Sequence, residues 1–127
     1  MHENDLATKI VDVGFHIHKK LGPGLLESAY QTVFVHELTK MGLTVESEVP
    51  VPLKWDDLYL TTAFRADLIV DRKVIVEIKS IEQVVPVHKK QLLTYLRLTD
   101  MKLGLLINFG MELFKDGISR VANGLQP

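Results

Sequence analysis

The chain contains no cysteine, a single tryptophan, and only 5 prolines and 8 glycines in 127 residues. Without thiols it forms no disulfide and no thiolate metal site, and it suits a reducing compartment. Its few Pro and Gly residues make no linker, and no repeat or low-complexity tract interrupts the sequence, so a single domain over 1–127 is expected. No apolar run approaches the ~18 residues of a membrane span. The opening MHENDLATK is too polar for a secretory signal, so a cytoplasmic protein with no membrane partner is expected. An excess of one charge is also missing: 15 Lys and Arg face 16 Asp and Glu, for a formal net charge of −1. No global basic field advertises nucleic acid, and any such partner must be held by a local patch.

What is present is ordinary globular composition, 46% hydrophobic and 24% charged. Leu6, Ile10, Val13, Ile17 and Leu21 step by three and four, which predicts a first helix capped by Asn4 or Asp5 and ended by the GPG at 22–24. A second helix is predicted over about 25–41, with Leu26, Ala29, Tyr30, Val33, Phe34 and Leu38 on one side and Gly42 at its end. LTVESEVPVPLKW then alternates, and its two prolines predict an edge strand with a break. LYLTTAFRADLIV and KVIVEIK follow as strands, Pro86 opens a third helix to about Asp100, and KLGLLINF reads as a strand buried on both faces. The tail MELFKDGISRVAN is expected to add a hairpin, or a strand with a helical turn. The order ααβββαβ predicts an α/β or α+β sandwich, a sheet covered by helices.

Three charged residues interrupt the apolar strands. Glu77 and Lys79 are two apart and share a face, opposite Val74, Val76 and Ile78. Asp67 joins them only if Asp71 to Lys73 form a three-residue loop that pairs Val70 with Val74; a two-residue turn sends it to the other face. The three-residue loop is the expectation. Two carboxylates about 5 Å apart on a mostly apolar sheet repel one another, and burial raises their pKa values. One lysine offsets one of them, whereas a hard divalent cation such as Mg²⁺ satisfies both.

Elsewhere, GLLESAY puts Glu27 and Tyr30 on one face of the second helix, and QLLTY puts Gln91 and Tyr95 one turn apart on the third. Each is commonplace alone: an acid suits a helix N-terminus, and Tyr30 can simply be core. In order, a helical Glu, a strand Asp, ExK and QxxxY resemble the PD-(D/E)XK nuclease superfamily, in particular its RecB-like branch. Gly24, Glu27 and Tyr30 look like the signature of the GxxExxY family. The resemblance runs from about residue 4 to 123 and includes PVHKKQLLTYLRLT and GLLINFG.

The resemblance implies a restriction-endonuclease-like core, a mixed sheet of about four strands flanked by helices. It implies Asp67, Glu77 and the carbonyl of Ile78 as ligands of Mg²⁺ or Mn²⁺, and Lys79 at the attacking water. Glu27 would hold metal-bound water or a second ion, while Gln91 and Tyr95 would position Lys79 and the scissile phosphate. The substrate would be DNA or RNA, for which the candidate contacts are Lys19, Lys20, Arg65, His88, Lys89, Lys90 and Arg97.

His16 and His18, two apart on a helix, point to different sides and make a poor metal site. Trp55 and Tyr59 flank the acidic pair Asp56-Asp57 and read as anchors of a hairpin, or as platforms for bases or a partner. Two readings stay open: a Mg²⁺-dependent nuclease, and a non-catalytic module that keeps the fold to bind nucleic acid or a protein, as a homodimer or with another chain. A glycosidase pair of Glu27 and Glu77 explains neither Lys79 nor QxxxY.

Overall fold

The first helix, α1 (Glu3–Leu21), buries Leu6, Ile10, Val13 and Ile17, the stripe its spacing predicts, while Leu21 stays exposed. Its cap is His2 rather than Asn4 or Asp5: His2 Nδ1 accepts the Asn4 N–H at 2.9 Å. Asp5 then lies inside the first turn beside Glu3, where the helix dipole favours acids. Helix α2 (Glu27–Lys40) turns Tyr30, Phe34 and Leu38 inward. Leu26, expected on the same apolar face, instead precedes the helix and is 78% exposed. Gly42, at φ 84°, closes the helix as predicted, with its N–H and that of Leu43 bonded to the carbonyls of Thr39 and Leu38.

The computed structural model describes residues 1–127, and it arranges the remaining elements as a mixed five-stranded sheet with a third helix. Strands β1 (Val45–Trp55), β2 (Leu58–Val70), β3 (Val74–Lys79), β4 (Leu103–Asn108) and β5 (Ile118–Ala122) lie side by side in chain order. Every pair is antiparallel except β3 and β4, which run parallel and are joined by α3 (Pro86–Thr99), with Pro86 in its first turn. Of the two forms expected for the C-terminal tail, the strand with a helical turn is the one adopted, in place of a separate hairpin. A 3-10 turn at Phe114–Gly117 leads into β5, which pairs with β4 and makes a fifth strand where about four were expected. The result is the α+β architecture that the element order predicted, and it matches the restriction-endonuclease-like core that the resemblance implied.

The two faces of the sheet are unequal. Beneath α1 and α2, Leu68, Val70, Val74, Val76, Ile78, Leu103, Leu105 and Ile107 join the helices in a 19-residue core. On the other face, Ala66, Ile69, Ile75 and Leu106 meet Leu92 and Leu96 of α3 in a cluster of 6. Gly104 permits this contact, since a Cβ there would meet Leu92 at 2.8 Å.

One irregularity decides where the functional residues go. Val45 and Val70, paired across β1 and β2, pack against the large core, yet Val49 and Ala66, paired four residues further on, pack against α3. Residues four apart in a regular strand share a face, so both strands reverse face between these pairs. The reversal falls at Glu48, in the left-handed region at φ 52°, and at Asp67, the residue that would oppose it.

Candidate active site

The β2–β3 connection has the three-residue length that the pairing of Asp67 with Glu77 requires. Val70 faces Val74, the Lys73 N–H bonds to the Val70 carbonyl at 3.0 Å, and Asp71 and Arg72 take up the turn with positive φ. The ladder ends at Leu68 opposite Val76, one residue short of Asp67 and Glu77, because β2 twists away there. The free backbone groups then bond to carboxylates. The Asp67 N–H donates to Glu77 Oε2 at 3.1 Å, and the Ile78 N–H donates to Asp67 Oδ2 at 2.8 Å. Each acid is thus held by the opposite strand, in a crossed pair at the point where the two strands part.

The electrostatic consequence is large. Burial, followed by the Asp67 charge, pushes the Glu77 carboxyl up to about 9, and Lys79 opposes this only weakly. Glu77 is 8% exposed and Asp67 half-buried. Lys79, half-buried two residues along, has no carboxylate within 4.0 Å. No N–H group of the chain reaches Oδ1 of Asp67 or Oε1 of Glu77, and the two carboxyls lie within hydrogen-bond reach of one another. Two adjacent carboxyls that cannot both ionise without a counter-charge fit a hard divalent cation.

Tyr95 of α3 comes to the same place. Its ring lies flat on Phe64 of β2, centroids 3.7 Å apart, and burial together with the nearby Glu77 and Asp67 raises its hydroxyl pKa. Gln91, one turn earlier, is exposed and makes no hydrogen bond. Glu27 is exposed in the first turn of α2 and does not close with Asp67 and Glu77 into a cluster: no three His, Asp or Glu side chains gather closely enough to hold a metal ion. Its helix nonetheless borders the site. Gln31, one turn after Glu27, donates to the Asp67 carbonyl at 3.3 Å and to Glu48 Oε1 at 2.9 Å, and Ser80 Oγ donates to the Leu25 carbonyl at 2.6 Å.

Several supporting residues were not singled out from the sequence. Gln31 bridges the two residues at which β1 and β2 reverse, and its i+4 spacing from Glu27 was the available signal. Asn108 is wholly buried. Its amide brackets Ile81 through the N–H at 3.0 Å and the carbonyl at 2.9 Å, and it accepts the Gly110 N–H, so it pins the segment following Lys79. A lone amide in the run LLINF was the clue. Tyr30 is core, as its commonplace reading holds. It stacks on Phe109 at 4.3 Å, and its hydroxyl donates to the Gly22 carbonyl at 2.5 Å and accepts the Leu25 N–H, which fixes the loop ahead of Glu27.

The basic candidates divide. Lys19, Arg65, Lys89, Lys90 and Arg97 are exposed. Lys20, also exposed, lines the groove between α1 and α2 with Val33 and Glu37. His88 is occupied in capping α3, its Nδ1 accepting the Val85 N–H at 3.2 Å. His16 is exposed and His18 buried, where its Nε2 meets the Met111 carbonyl at 2.8 Å, so the two do not form a metal pair. No helix is long and apolar enough to cross a membrane.

Comparison with known proteins agrees with this geometry. No curated protein and no solved structure matches the chain. The family model of the PD-(D/E)XK nuclease superfamily matches residues 4–121, from the first turn of α1 to β5. Nucleases of this superfamily act on nucleic acid and generally use divalent metals. On a match spanning nearly its whole length, the chain belongs to the PD-(D/E)XK nuclease superfamily.

Proposed function

We propose that this chain is a metal-dependent nuclease hydrolysing phosphodiester bonds of DNA or RNA, acting as a single domain over 1–127. The crossed Asp67–Glu77 pair carries the reading: it holds two acids so close that burial drives one of them to about 9. An arrangement that disfavours its own ionised form makes physical sense where a cation restores it. Asp67 and Glu77, with the Ile78 carbonyl, are the proposed ligands, with Mg²⁺ as the physiological ion and Mn²⁺ as its substitute. When bound, the ion supplies an activated water and charge stabilisation at the phosphate.

The chain's own groups supply the rest. The Lys79 ammonium, not committed to an ion pair, is the proposed donor to the attacking water and the scissile phosphate. Tyr95, locked flat on Phe64, positions its hydroxyl beside the acids, and Gln91 extends the same helix face toward the substrate. Glu27, held at the site's border by the Tyr30-tied loop and by Gln31, acts on water or a second ion once substrate is present. Arg65, Lys89 and Lys90 are the proposed phosphate contacts. With Gly24, Glu27, Tyr30, Gln91 and Tyr95 in place, we assign the chain to the GxxExxY proteins of the RecB-like branch, working in the cytoplasm.

The test is cleavage of labelled single-stranded DNA, duplex DNA and RNA in Mg²⁺, Mn²⁺ or EDTA, beside Glu77→Gln and Lys79→Ala proteins. Metal-dependent cutting that falls at least ~10²-fold in both variants, with their folds intact, is expected. Equal trace activity in all three proteins would instead favour a binding module that has kept the fold.

A further inference from the structure

Beyond Asp67, the ribbon of β1 and β2 carries a ladder of apolar pairs on one face: Val49 with Ala66, Val51 with Phe64, Leu53 with Leu60, and Trp55 with Leu58. The register shifts between Val51 and Leu53, where two residues of β1 span four of β2, but the extra residues belong to β2, and β1 runs from Val49 to Trp55 without a left-handed residue, so its alternate side chains keep to that face. The first two pairs are covered. Val49, Phe64 and Ala66 pack against the α3 cluster, and Val51 is buried. The last two are not: Trp55 is 68% exposed, Leu58 67% and Leu60 54%, around a shallow concavity of about 270 Å³ that Leu53 and Tyr59 complete. An uncovered apolar face at the end of a two-stranded ribbon is unfavourable unless something occupies it.

We propose that this distal half of the ladder is a stacking platform for the unpaired bases of a single strand whose phosphate lies at Asp67 and Glu77, an inference that rests on the nuclease reading. Continuity argues for this occupant. The platform extends the row that contains Phe64, and Phe64 lies flat on Tyr95, the aromatic ring beside the two carboxylates. Charge argues the same way. A chain of net charge −1 offers phosphates only a local basic patch, whereas stacking on aromatic and apolar faces needs no excess of cations. Bases in an intact duplex are already stacked on one another and cannot reach such a face. A second copy of the chain is the weaker fit, because four side chains fall well short of the ~800 Å² per partner of a stable interface.

Trp55 is the sole tryptophan, so its emission reports the platform directly. With EDTA present, titration with the single-stranded probe oligo(dT)12 is expected to quench Trp55, whereas a 12-base-pair duplex leaves it unchanged. Anisotropy of fluorescein-labelled oligo(dT)12 is expected to show Trp55→Ala binding about 10-fold more weakly and Trp55→Phe within ~3-fold of wild type, in line with ~1–3 kcal/mol per stacked base. Equal affinity for both probes, or unaltered binding by Trp55→Ala, would overturn the proposal. So would Trp55 emission that shifts with protein concentration alone, the mark of self-association. The two readings fail separately: quenching without metal-dependent cleavage sinks the nuclease, and cleavage without quenching sinks the platform.

Discussion

The two faces of this sheet are built from alternate residues of the same strands, yet they serve different ends. Beneath α1 and α2 lies an apolar core of 19 buried residues; beneath α3 lies one of 6, beside Glu77 and Lys79. Since strand side chains alternate, a sheet can devote one face to stability and the other to chemistry without changing its backbone. The lesson is that the strain of two facing acids is tolerated here because the opposite face holds the strands. Leu68, Val70, Val74, Val76 and Ile78 are anchored below while Asp67 and Glu77 meet above.

The largest expected effect falls on the thick face. Phe34→Ala, removing a fully buried ring from the core, is expected to destabilise by about 3–5 kcal/mol in denaturant unfolding. If the loss were under 1 kcal/mol, the thick face would not be the one that holds the fold. Next is the support of the site. Asn108→Ala strands the N–H and carbonyl of Ile81 and the N–H of Gly110, and is expected to destabilise by about 2–3 kcal/mol. Hydrogen exchange should rise at Ile81 and Gly110 while the α1 and α2 amides stay protected at low denaturant. Uniform loss of protection would show that the segment after Lys79 is not held separately.

The third effect is opposite in sign and depends on pH. Glu77 is protonated in the folded chain up to about 9 and in the unfolded chain only up to 4.5. Between those values the folded state binds more protons, so this group's contribution is fully present below pH 4.5 and is lost as pH rises toward 9. Glu77→Gln, which mimics the protonated acid, should therefore melt with wild type near pH 4 and clearly above it at pH 8 in EDTA. Adding Mg²⁺ should narrow the gap by stabilising wild type alone. A variant that melts lower at pH 8 would show that the folded chain favours the Glu77 carboxylate.

Much of this could be seen in the sequence, for reasons tied to particular residues. Strand parity put Glu77 beside Lys79, the three-residue loop set Asp67 opposite Glu77, and Gly42 and Pro86 marked helix ends through their own backbone preferences. The face reversal was not visible, because Glu48 adopts a left-handed conformation without being Gly or Asn, so no composition signal marks it. The fifth strand was blurred because its connection runs through a 3-10 turn rather than a hairpin turn. The position of Glu27 relative to Asp67 depends on how α2 docks, a tertiary fact that helical periodicity does not encode. Leu26 fell outside its helix because the chain enters α2 at Glu27, two residues later than the start near 25 that its apolar spacing implied.

The central claim is that Asp67 and Glu77 form a pair awaiting a cation, and carboxyl-carbon NMR of Glu77 tests it most directly. A titration of the metal-free protein should give a pKa near 9, and one in saturating Mg²⁺ should bring it down into the ordinary carboxylate range. A metal-free value near 4.5, or a raised value that Mg²⁺ leaves in place, would contradict the account.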